Sequence, residues 1–385
     1  MTNVAARTRR RVRTVGVEEE LLLVDAVTMH PTPAAGTILK RLEATGAAPS
    51  MLGPSLELEA KQEQIEVVSP PRETVEELFS TILEGRRQAD SAARAVGARA
   101  VALGTGTLPC EPHLVSAPRY NRMQERFGLT MDEQLTCGFH VHVAVDSDDE
   151  GVGVLDRIRP WLPVLLALSA NSPYWRGADT GFASYRYQAW SRWPCVGSYD
   201  LFDSVKGYTA RLEAILDTEV SFDTGMLYFD ARLSQHAPTV ETRIADVCLR
   251  PADAAVLAVL IRALVDTAAA DWAAGVPADP VPTALLRLAS WRASKSGVGD
   301  TLLDPHTTKP VPASSAVRAL LEHVGGHFAG SDEQRLVRDG VEAILRNGSG
   351  AMRQRSVLAE RGDCCEVVAA AAEETIAAES KVTTG

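Results

Sequence analysis

Three consecutive glutamates interrupt an apolar stretch near the N-terminus, the segment VGVEEELLLVD at Val15–Asp25. A short apolar run rich in valine and leucine is typical of a buried β-strand. Because side chains alternate across a strand, Glu18 and Glu20 share one face while Glu19 points to the other. Carboxylates about 7 Å apart on a buried face repel each other and lose their hydration. The segment therefore predicts either a divalent-cation site or an edge strand whose glutamate face is solvated.

A second acidic segment, Leu56–Ser69, predicts one strand or a pair of strand segments. It carries Glu59 and Glu66, which have opposite parity along a regular strand. Both reach a common site only if a bulge or a break lies between them. Oxygen ligands of this kind favour a hard cation such as Mg²⁺ or Mn²⁺.

A histidine pair marks a third strand at Leu135–Val145, where His140 and His142 alternate with valines. The spacing places both imidazoles on one face. A lone buried histidine is more often structural, but two on one β-rich strand indicate a metal ligand or a phosphate contact.

A long segment rich in aromatic residues and arginine, Tyr174–Tyr199, predicts a loop. Arginine suits carboxylate and phosphate recognition, and aromatic side chains can cover a ligand. Arg186, Arg192 and Tyr187 are therefore predicted to bind a cofactor. The alternative is a packed loop that closes over a core.

Two further strands, Met226–Leu233 and Thr239–Val247, each place an acid and an arginine two residues apart. The acid and the arginine of one such pair can simply pair with each other. Their repetition on consecutive strands instead predicts a polar inner face that binds a charged ligand. The pairs are Asp230 with Arg232 and Glu241 with Arg243.

Helical patterns fill much of the rest of the chain, first at Thr74–Gly97 after a double proline, then at Gly151–Asn171 and Ser204–Thr218, and almost continuously from Pro251. The domain prediction is a disordered basic leader at 1–13, one catalytic domain at 14–378 and a frayed tail at 379–385. The last part of that domain, about 251–378, is predicted to be helical. The alanine-rich helices are candidates for a homodimer face.

Composition excludes several functional classes. The net charge of −11 argues against a nucleic-acid binder, which must neutralise phosphates. No apolar run is long enough to span a membrane, and the basic N-terminus lacks the apolar region of a signal peptide. The six scattered cysteines form no C-x-x-C pair and are predicted to be free thiols. These features predict a cytoplasmic protein.

The predicted polar groups come from five strand candidates and form a face unlike an ordinary hydrophobic core. Clustered carboxylates with histidine and arginine suit divalent cations that neutralise a polyphosphate, with arginine stabilising a transferring phosphoryl group. The chain has neither a P-loop nor a dinucleotide fingerprint. A nucleotide site would therefore lie on the sheet face.

Six motifs in a fixed order extend this interpretation to a family. They are GVEEELLLVD, EQIEVVSPP, CGFHVHV, SANSPYWRGADTGFASYRYQAWSRWP, TVETRIAD and GSGAMRQRSVLAERGD. Together they span about residues 14–375 and resemble the bacterial carboxylate–amine ligases of the glutamate–cysteine ligase type 2 family. The resemblance implies an α+β, glutamine-synthetase-like fold, in which an antiparallel sheet forms the catalytic face and helices pack outside.

The resemblance also implies ATP-dependent amide formation with Mg²⁺ or Mn²⁺. The carboxylate substrate, typically the γ-carboxylate of glutamate, would form an acyl phosphate that an amine such as cysteine displaces. Arg243 would neutralise the transferring phosphoryl group, and Arg232 would contact phosphate or substrate carboxylate. The implied metal ligands are Glu18, Glu20, Glu59, Glu66, Glu241 and either His140 or His142.

Two alternatives remain open at this point. One is a phosphotransferase on the related fold of the guanidino kinases, in which phosphate stays on the product. The other is a non-catalytic descendant that binds a metabolite. The acid cluster argues against the latter, because buried carboxylates without cations are destabilising.

Overall fold

A seven-stranded antiparallel sheet organises the fold. The computed structural model describes residues 12–44 and 53–378. In chain order the strands are β1 (Val15–Asp25), β2 (Ser55–Leu58), β3 (Gln64–Val68), β4 (Ala98–Val101), β5 (Gly138–Ala144), β6 (Tyr174–Trp175), β7 (Ala178–Asp179), β8 (Ala231–Leu233), β9 (Thr239–Asp246), β10 (Thr301–Leu303) and β11 (Pro310–Pro312). The large sheet has the order β2-β3-β1-β5-β9-β8, and β4 pairs with the C-terminal end of β1.

Helices cover one face of this sheet and make up most of the last third of the chain. They are α1 (Ala35–Ala44), α2 (Val75–Arg94), α3 (Pro118–Phe127), α4 (Leu129–Asp132), α5 (Asp148–Ile158), α6 (Leu162–Ser169), α7 (Tyr185–Trp190), α8 (Val205–Leu216), α9 (Pro251–Ala273), α10 (Thr283–Ser296), α11 (Ala313–His323), α12 (Ser331–Asn347), α13 (Gly350–Arg361) and α14 (Cys364–Thr375). The long helix α9 packs against α2 and α5 and against strands β1 and β5. The predicted α+β class, with an antiparallel sheet and a helical C-terminal third, is confirmed.

The alternation predicted for the first strand separates its two faces. Val15, Val17 and Glu19 are buried toward the helices, and the two valines belong to the main hydrophobic core. Glu18 and Glu20 lie on the opposite, cavity-lining face. The sheet therefore uses its helix-covered face for stability and leaves the other face for polar side chains.

The break predicted in the second acidic segment is present. Strand β2 ends at Leu58 and β3 begins at Gln64, so Glu59 lies just after one strand and Glu66 lies within the next. The two strands pair with each other, which brings both carboxylates to the same cavity.

Two predicted elements differ from the structure, and one element was not predicted. The helix expected at 151–171 is divided into α5 and α6 by a 3₁₀ turn at Arg159–Trp161, because Pro160 and Pro163 cannot donate the backbone hydrogen bonds of a continuous helix. The loop expected at 174–199 contains the β6–β7 hairpin and helix α7, which Ser184 caps by accepting from Tyr187 N. A small β10–β11 hairpin was not predicted.

The strand expected at Met226–Leu233 is reduced to β8. A 3₁₀ turn ends at Met226 and a bend occupies Asp230, so pairing with β9 begins only at Ala231. The predicted common face of Asp230 and Arg232 was therefore wrong. Asp230 is buried outside the cavity, where it accepts hydrogen bonds from the hydroxyls of Tyr187 and Ser198.

Most of the predicted leader at 1–13, and the whole predicted tail at 379–385, lie outside the described residues. Arg13 is an exception, because its guanidinium donates to Glu150, to Asp266 and to the carbonyl oxygen of Ala144. The six cysteines are unpaired, as predicted. Within residues 12–44 and 53–378, every helix is too short or too polar to cross a bilayer.

A buried ion pair joins the sheet to the helical layer. Arg86 of α2 and Glu19 of β1 are 0% and 1% exposed, and their side chains form two hydrogen bonds of 2.6 and 2.9 Å. Arg86 also donates to the carbonyl oxygens of Cys248 and Leu249, just before α9. This single side chain therefore ties together β1, α2 and the start of α9.

We predict that Arg86→Met destabilises the fold by about 3–5 kcal/mol, because it leaves the carboxylate of Glu19 buried without its cation. Urea denaturation followed by circular dichroism measures the loss. The matched control is Arg87→Met, which changes the neighbouring exposed arginine and is expected to cost less than about 0.5 kcal/mol. Equal losses in the two variants would contradict this role of Arg86.

Candidate active site

Strand register places the predicted acidic and histidine side chains next to one another. Directly opposed residues in an antiparallel pair have their Cβ atoms within about 5.5 Å and share a face. The opposed pairs are Glu18 with His140, Glu20 with Glu66, His142 with Glu241, and Arg232 with Glu241. Four strand pairings therefore build one polar patch on the open face of the sheet.

A register shift in the β5–β9 pair lies at His140, between Phe139 and Val141. A β-bulge of this kind changes the direction of the side chain beside it and is frequent next to active sites. The flanking Phe139 and Val141 stay in the hydrophobic core while His140 enters the cavity. This local irregularity places His140 among the carboxylates of three other strands.

His140 is shared by two groups of potential metal ligands. Within each group the ligand atoms lie within 4.8 Å of one another, which is the span expected around one ion. The groups are Glu18–His140–Glu241 and Glu20–Glu66–His140. Two carboxylates and one imidazole form a donor set suited to Mg²⁺ or Mn²⁺, which prefer oxygen ligands.

Glu18 connects both histidines of β5. Its Oε2 lies 3.1 Å from His140 Nδ1, and its Oε1 lies 3.2 Å from His142 Nε2. Burial raises the pKa of Glu18, but hydrogen bonds from His140 and His142 outweigh it, so the pKa lies well below its ordinary value. Burial and the nearby Arg243 lower the pKa of His140. An ionised carboxylate and a neutral imidazole are the states in which these side chains bind a metal.

Two arginines surround Glu241, and we call them the arginine pair. Arg232 donates to Glu241 Oε2 at 2.6 Å, and Arg243 donates to its Oε1. Burial raises the pKa of Glu241, but the arginine pair lowers it to about 2. One carboxylate therefore meets two guanidinium groups, and this part of the site has positive charge left for an anionic ligand.

Glu59 and Glu66 lie in the opposite electrostatic environment. Burial and the charge of Glu20 raise the pKa of Glu59 to about 7, and burial and Glu59 raise the pKa of Glu66 well above its ordinary value. Within the described residues neither carboxylate forms an ion pair. Such a cluster is costly without a cation, so these residues fit a divalent metal.

A cavity of about 640 Å³ opens over this patch. On one side it reaches the β8–β9 turn, where Thr239 Oγ1 lies 3.0 Å from His142 Nδ1. On the other side it meets six apolar and aromatic side chains that we call the aromatic wall. The wall consists of Tyr120, Met123, Met131, Trp190, Trp193 and Tyr228.

The predicted catalytic residues and metal ligands all border this cavity. They are Arg232, Glu241, Arg243, Glu18, Glu20, Glu59, Glu66, His140 and His142. Of the three residues predicted to bind a cofactor, Arg186 borders the cavity, while Tyr187 and Arg192 do not. Tyr187 donates to Asp230, and Arg192 donates to Glu133 at 2.7 Å. Their assigned roles stay predictions.

Sequence reasoning missed most of the aromatic wall. Tyr120 and Met123 lie at i, i+3 on α3, whose amphipathic pattern was the available signal. Trp190 and Trp193 were noted only as members of an aromatic loop. Their rings pack on Tyr228, with centroid distances of 4.6 and 5.7 Å.

Asp230 supports a prediction about pH. Burial raises its pKa to about 7, and only partial compensation comes from the hydroxyls of Tyr187 and Ser198. Because the folded state then binds more protons than the unfolded state, the contribution of Asp230 to stability falls as pH rises from about 4 through 7. We predict that Asp230→Asn gains stability relative to wild type over this range. Thermal denaturation from pH 4 to pH 8 measures the difference.

The control for this measurement is Asp339→Asn, which changes an exposed aspartate on α12. Its difference from wild type is expected to stay constant with pH. A constant difference for Asp230→Asn as well would show that Asp230 is ionised at low pH in the fold.

Comparison with known proteins agrees with this geometry. The model of the glutamate-cysteine ligase family 2 matches residues 14–375. A protein of Paenarthrobacter aurescens (strain TC1) named "Putative glutamate--cysteine ligase 2-1" is 50% identical over 371 residues, which cover 95% of this chain and 96% of the relative.

Two solved structures share the fold at low sequence identity. A bifunctional glutathione synthetase from Pasteurella multocida superposes with a TM-score of 0.67 at 15% identity, over 95% of this chain and 52% of that chain, so this chain spans about half of its length. A glutamate–cysteine ligase from Francisella tularensis, solved in complex with AMP, gives a TM-score of 0.65 at 12% identity, over 96% and 90% of the two chains. With the family match over nearly the whole sequence, these findings show that the chain belongs to glutamate–cysteine ligase family 2 and is an ATP-dependent carboxylate–amine ligase.

Proposed function

We propose that the protein joins the γ-carboxylate of glutamate to an amine through an acyl phosphate, with cysteine as one amine to test. The observation that carries this proposal is the pair of metal-ligand groups sharing His140, one of which contains the carboxylate held by the arginine pair. Divalent cations at these groups would neutralise the phosphates of ATP.

The first step needs a positive environment for the transferring phosphoryl group. A carboxylate oxygen of the donor attacks the γ-phosphorus, the new O–P bond forms, and the bond to the β-phosphate oxygen breaks to release ADP. Arg243 and Arg232 lie beside Glu241 and would stabilise the charge on the phosphoryl oxygens. Their pairing with Glu241 holds both guanidinium groups in position before substrates bind.

The second step forms the amide. The amine nitrogen attacks the carbonyl carbon of the acyl phosphate, inorganic phosphate leaves, and the amine loses a proton. Glu59 and Glu66 stay assigned to the divalent cation, so the proton passes to the departing phosphate.

Inorganic phosphate release separates this function from the alternatives. With ATP, Mg²⁺ and glutamate fixed, we expect release to depend on the amine supplied. A phosphotransferase would leave phosphate on its product, and a metabolite-binding descendant would release none. Release that does not respond to any amine would contradict the ligase proposal.

We predict that Arg243→Ala lowers amine-dependent phosphate release by about 100-fold or more, because the transferring phosphoryl group loses a preorganised cation. Arg243→Lys keeps a charge and is expected to retain more activity. The control is Arg338→Ala, which removes an exposed arginine of α12 and should leave release unchanged. Comparable activity of Arg243→Ala and the control would rule out this role.

A second prediction concerns metal binding. At pH 8 Mn²⁺ is expected to raise the thermal midpoint of the wild type. At a concentration of 100 times its Kd, a bound ion stabilises the folded state by about 2.7 kcal/mol. Glu66→Gln removes one ligand and one repelling charge, so it should be more stable than wild type without metal and gain less from Mn²⁺. Glu125→Gln, on the exposed face of α3, is the control and should respond as the wild type does. An unchanged Mn²⁺ response in Glu66→Gln would remove Glu66 from the metal site.

A further inference from the structure

A buried carboxylate at the end of β9 binds the segments that lead into α7. Asp246 is 0% exposed and does not border the cavity. Its Oδ2 accepts hydrogen bonds from Asn171 N at 2.9 Å and from Ser172 Oγ at 2.7 Å, and its Oδ1 accepts from Ser184 Oγ at 2.7 Å. One side chain of the catalytic sheet is therefore bonded to both segments that precede α7.

The same two hydroxyl groups bind the first turn of α7. Ser184 caps the helix by accepting a hydrogen bond from Tyr187 N, and Ser172 Oγ accepts one from Arg186 N at 2.9 Å. Each hydroxyl thus donates to Asp246 and accepts from the helix backbone. Through them the carboxylate fixes the backbone from which the side chain of Arg186 extends.

The guanidinium group of Arg186 has few direct partners, although the residue is only 3% exposed. Its Nη1 and Nη2 donate to the carbonyl oxygens of Ile244 and Arg243 at 3.3 and 3.4 Å, and within the described residues its Nε has no partner. These hydrogen bonds are long for a charged donor. Because the side chain borders the cavity and can only donate, it is available to an anionic group of a ligand.

Asp246 compensates for the charge of Arg186 without occupying its donors. The distance from Arg186 Nη1 to Asp246 Oδ1 is 3.9 Å, which is too long for a hydrogen bond but short enough for attraction between buried charges. A buried guanidinium group without a nearby anion would be costly. A carboxylate bonded directly to it would instead take N–H groups that a ligand could use.

Gly138 provides the space in which the guanidinium group lies. This glycine is directly opposite Asp246 in the β5–β9 pair. A Cβ atom at Gly138 would overlap Nη2 of Arg186, so any other residue there would displace the guanidinium group. Arg186 is thus held between the start of α7, the carboxylate of Asp246 and the backbone of β5.

From this arrangement we propose that Asp246 is a positioning residue of the ligase site. It holds Arg186 at the cavity with donors free for an anionic oxygen group of a substrate, either a phosphate or a carboxylate. Asp246 acts through Arg186 and touches no substrate itself. This inference rests on the proposed function, because the anionic groups are those of the ligase substrates.

A double-mutant cycle on ligand binding tests the coupling between the two residues. Calorimetry measures the Kd of a non-hydrolysable ATP analogue with Mg²⁺, and then the Kd of glutamate for that complex. We expect Arg186→Met to weaken one of these two ligands by about 10-fold or more, which identifies the anion as phosphate or carboxylate. Asp246→Asn should weaken the same ligand by about 10-fold. The double variant should be weaker than Arg186→Met by no more than about 2-fold.

The variant Asp156→Asn separates positioning from stability. Asp156 is another buried carboxylate, 4% exposed, which accepts from the backbone N atoms of Phe202 and Asp203 and does not border the cavity. Both aspartate variants are expected to lower the thermal midpoint, but Asp156→Asn should leave both Kd values unchanged. Unchanged Kd values in Asp246→Asn or in Arg186→Met, or effects of the two that add in full, would overturn the inference.

The variant Ser184→Ala replaces Asp246→Asn in the cycle if the latter does not fold. It removes one hydroxyl between Asp246 and α7 but keeps the carboxylate, so the ligand that depends on Arg186 should bind about 3-fold more weakly. Unchanged binding of that ligand would overturn the inference. A binding cycle with the expected coupling, but without amine-dependent phosphate release from the wild type, would overturn the proposed reaction and leave the role of Asp246 standing.

Discussion

Repulsion between carboxylates on one face of the sheet is the constraint on which the rest of the structure depends. Glu18, Glu20, Glu66 and Glu241 project from three different strands into one cavity, and Glu59 joins them from the turn after β2. Bringing such charges together out of water opposes folding. The helix-covered face has to compensate, and it does so with a continuous apolar core and with the Arg86–Glu19 ion pair.

The carboxylates of this cluster differ in the charged groups that surround them. Glu241 is paired with both members of the arginine pair, Glu18 is hydrogen-bonded to histidine, and Glu59 and Glu66 form no ion pair among the described residues. Glu59 and Glu66 are therefore the carboxylates that gain most from a divalent cation, whereas the arginine pair is already ordered by Glu241 and can meet the anionic phosphates of a nucleotide.

Strand periodicity made most of the catalytic face predictable from the sequence. A period of two decides which glutamates of β1 face the cavity, and the opposite parity of Glu59 and Glu66 required the break that lies between β2 and β3. Where the backbone is irregular, the same reasoning fails. Asp230 precedes β8 at a bend, so its parity with Arg232 does not decide its direction. Arg192 belongs to a segment whose contacts are long-range, and nothing local indicates its pairing with Glu133.

The aromatic wall was hidden from sequence reasoning for a related physical reason. Its members come from α3, α4, α7, the turn after α7 and the segment before β8, and no local period connects these elements. The metal ligands and the arginine pair are carried by the sheet and the turn after β2, whereas the wall is carried by helices and loops around it. Substitutions in the wall can therefore change the shape offered to a substrate without moving a metal ligand. Family membership therefore agrees with the motifs on the strands, where a period of two connects the residues, whereas the helices and loops of the wall follow no period that the sequence reveals.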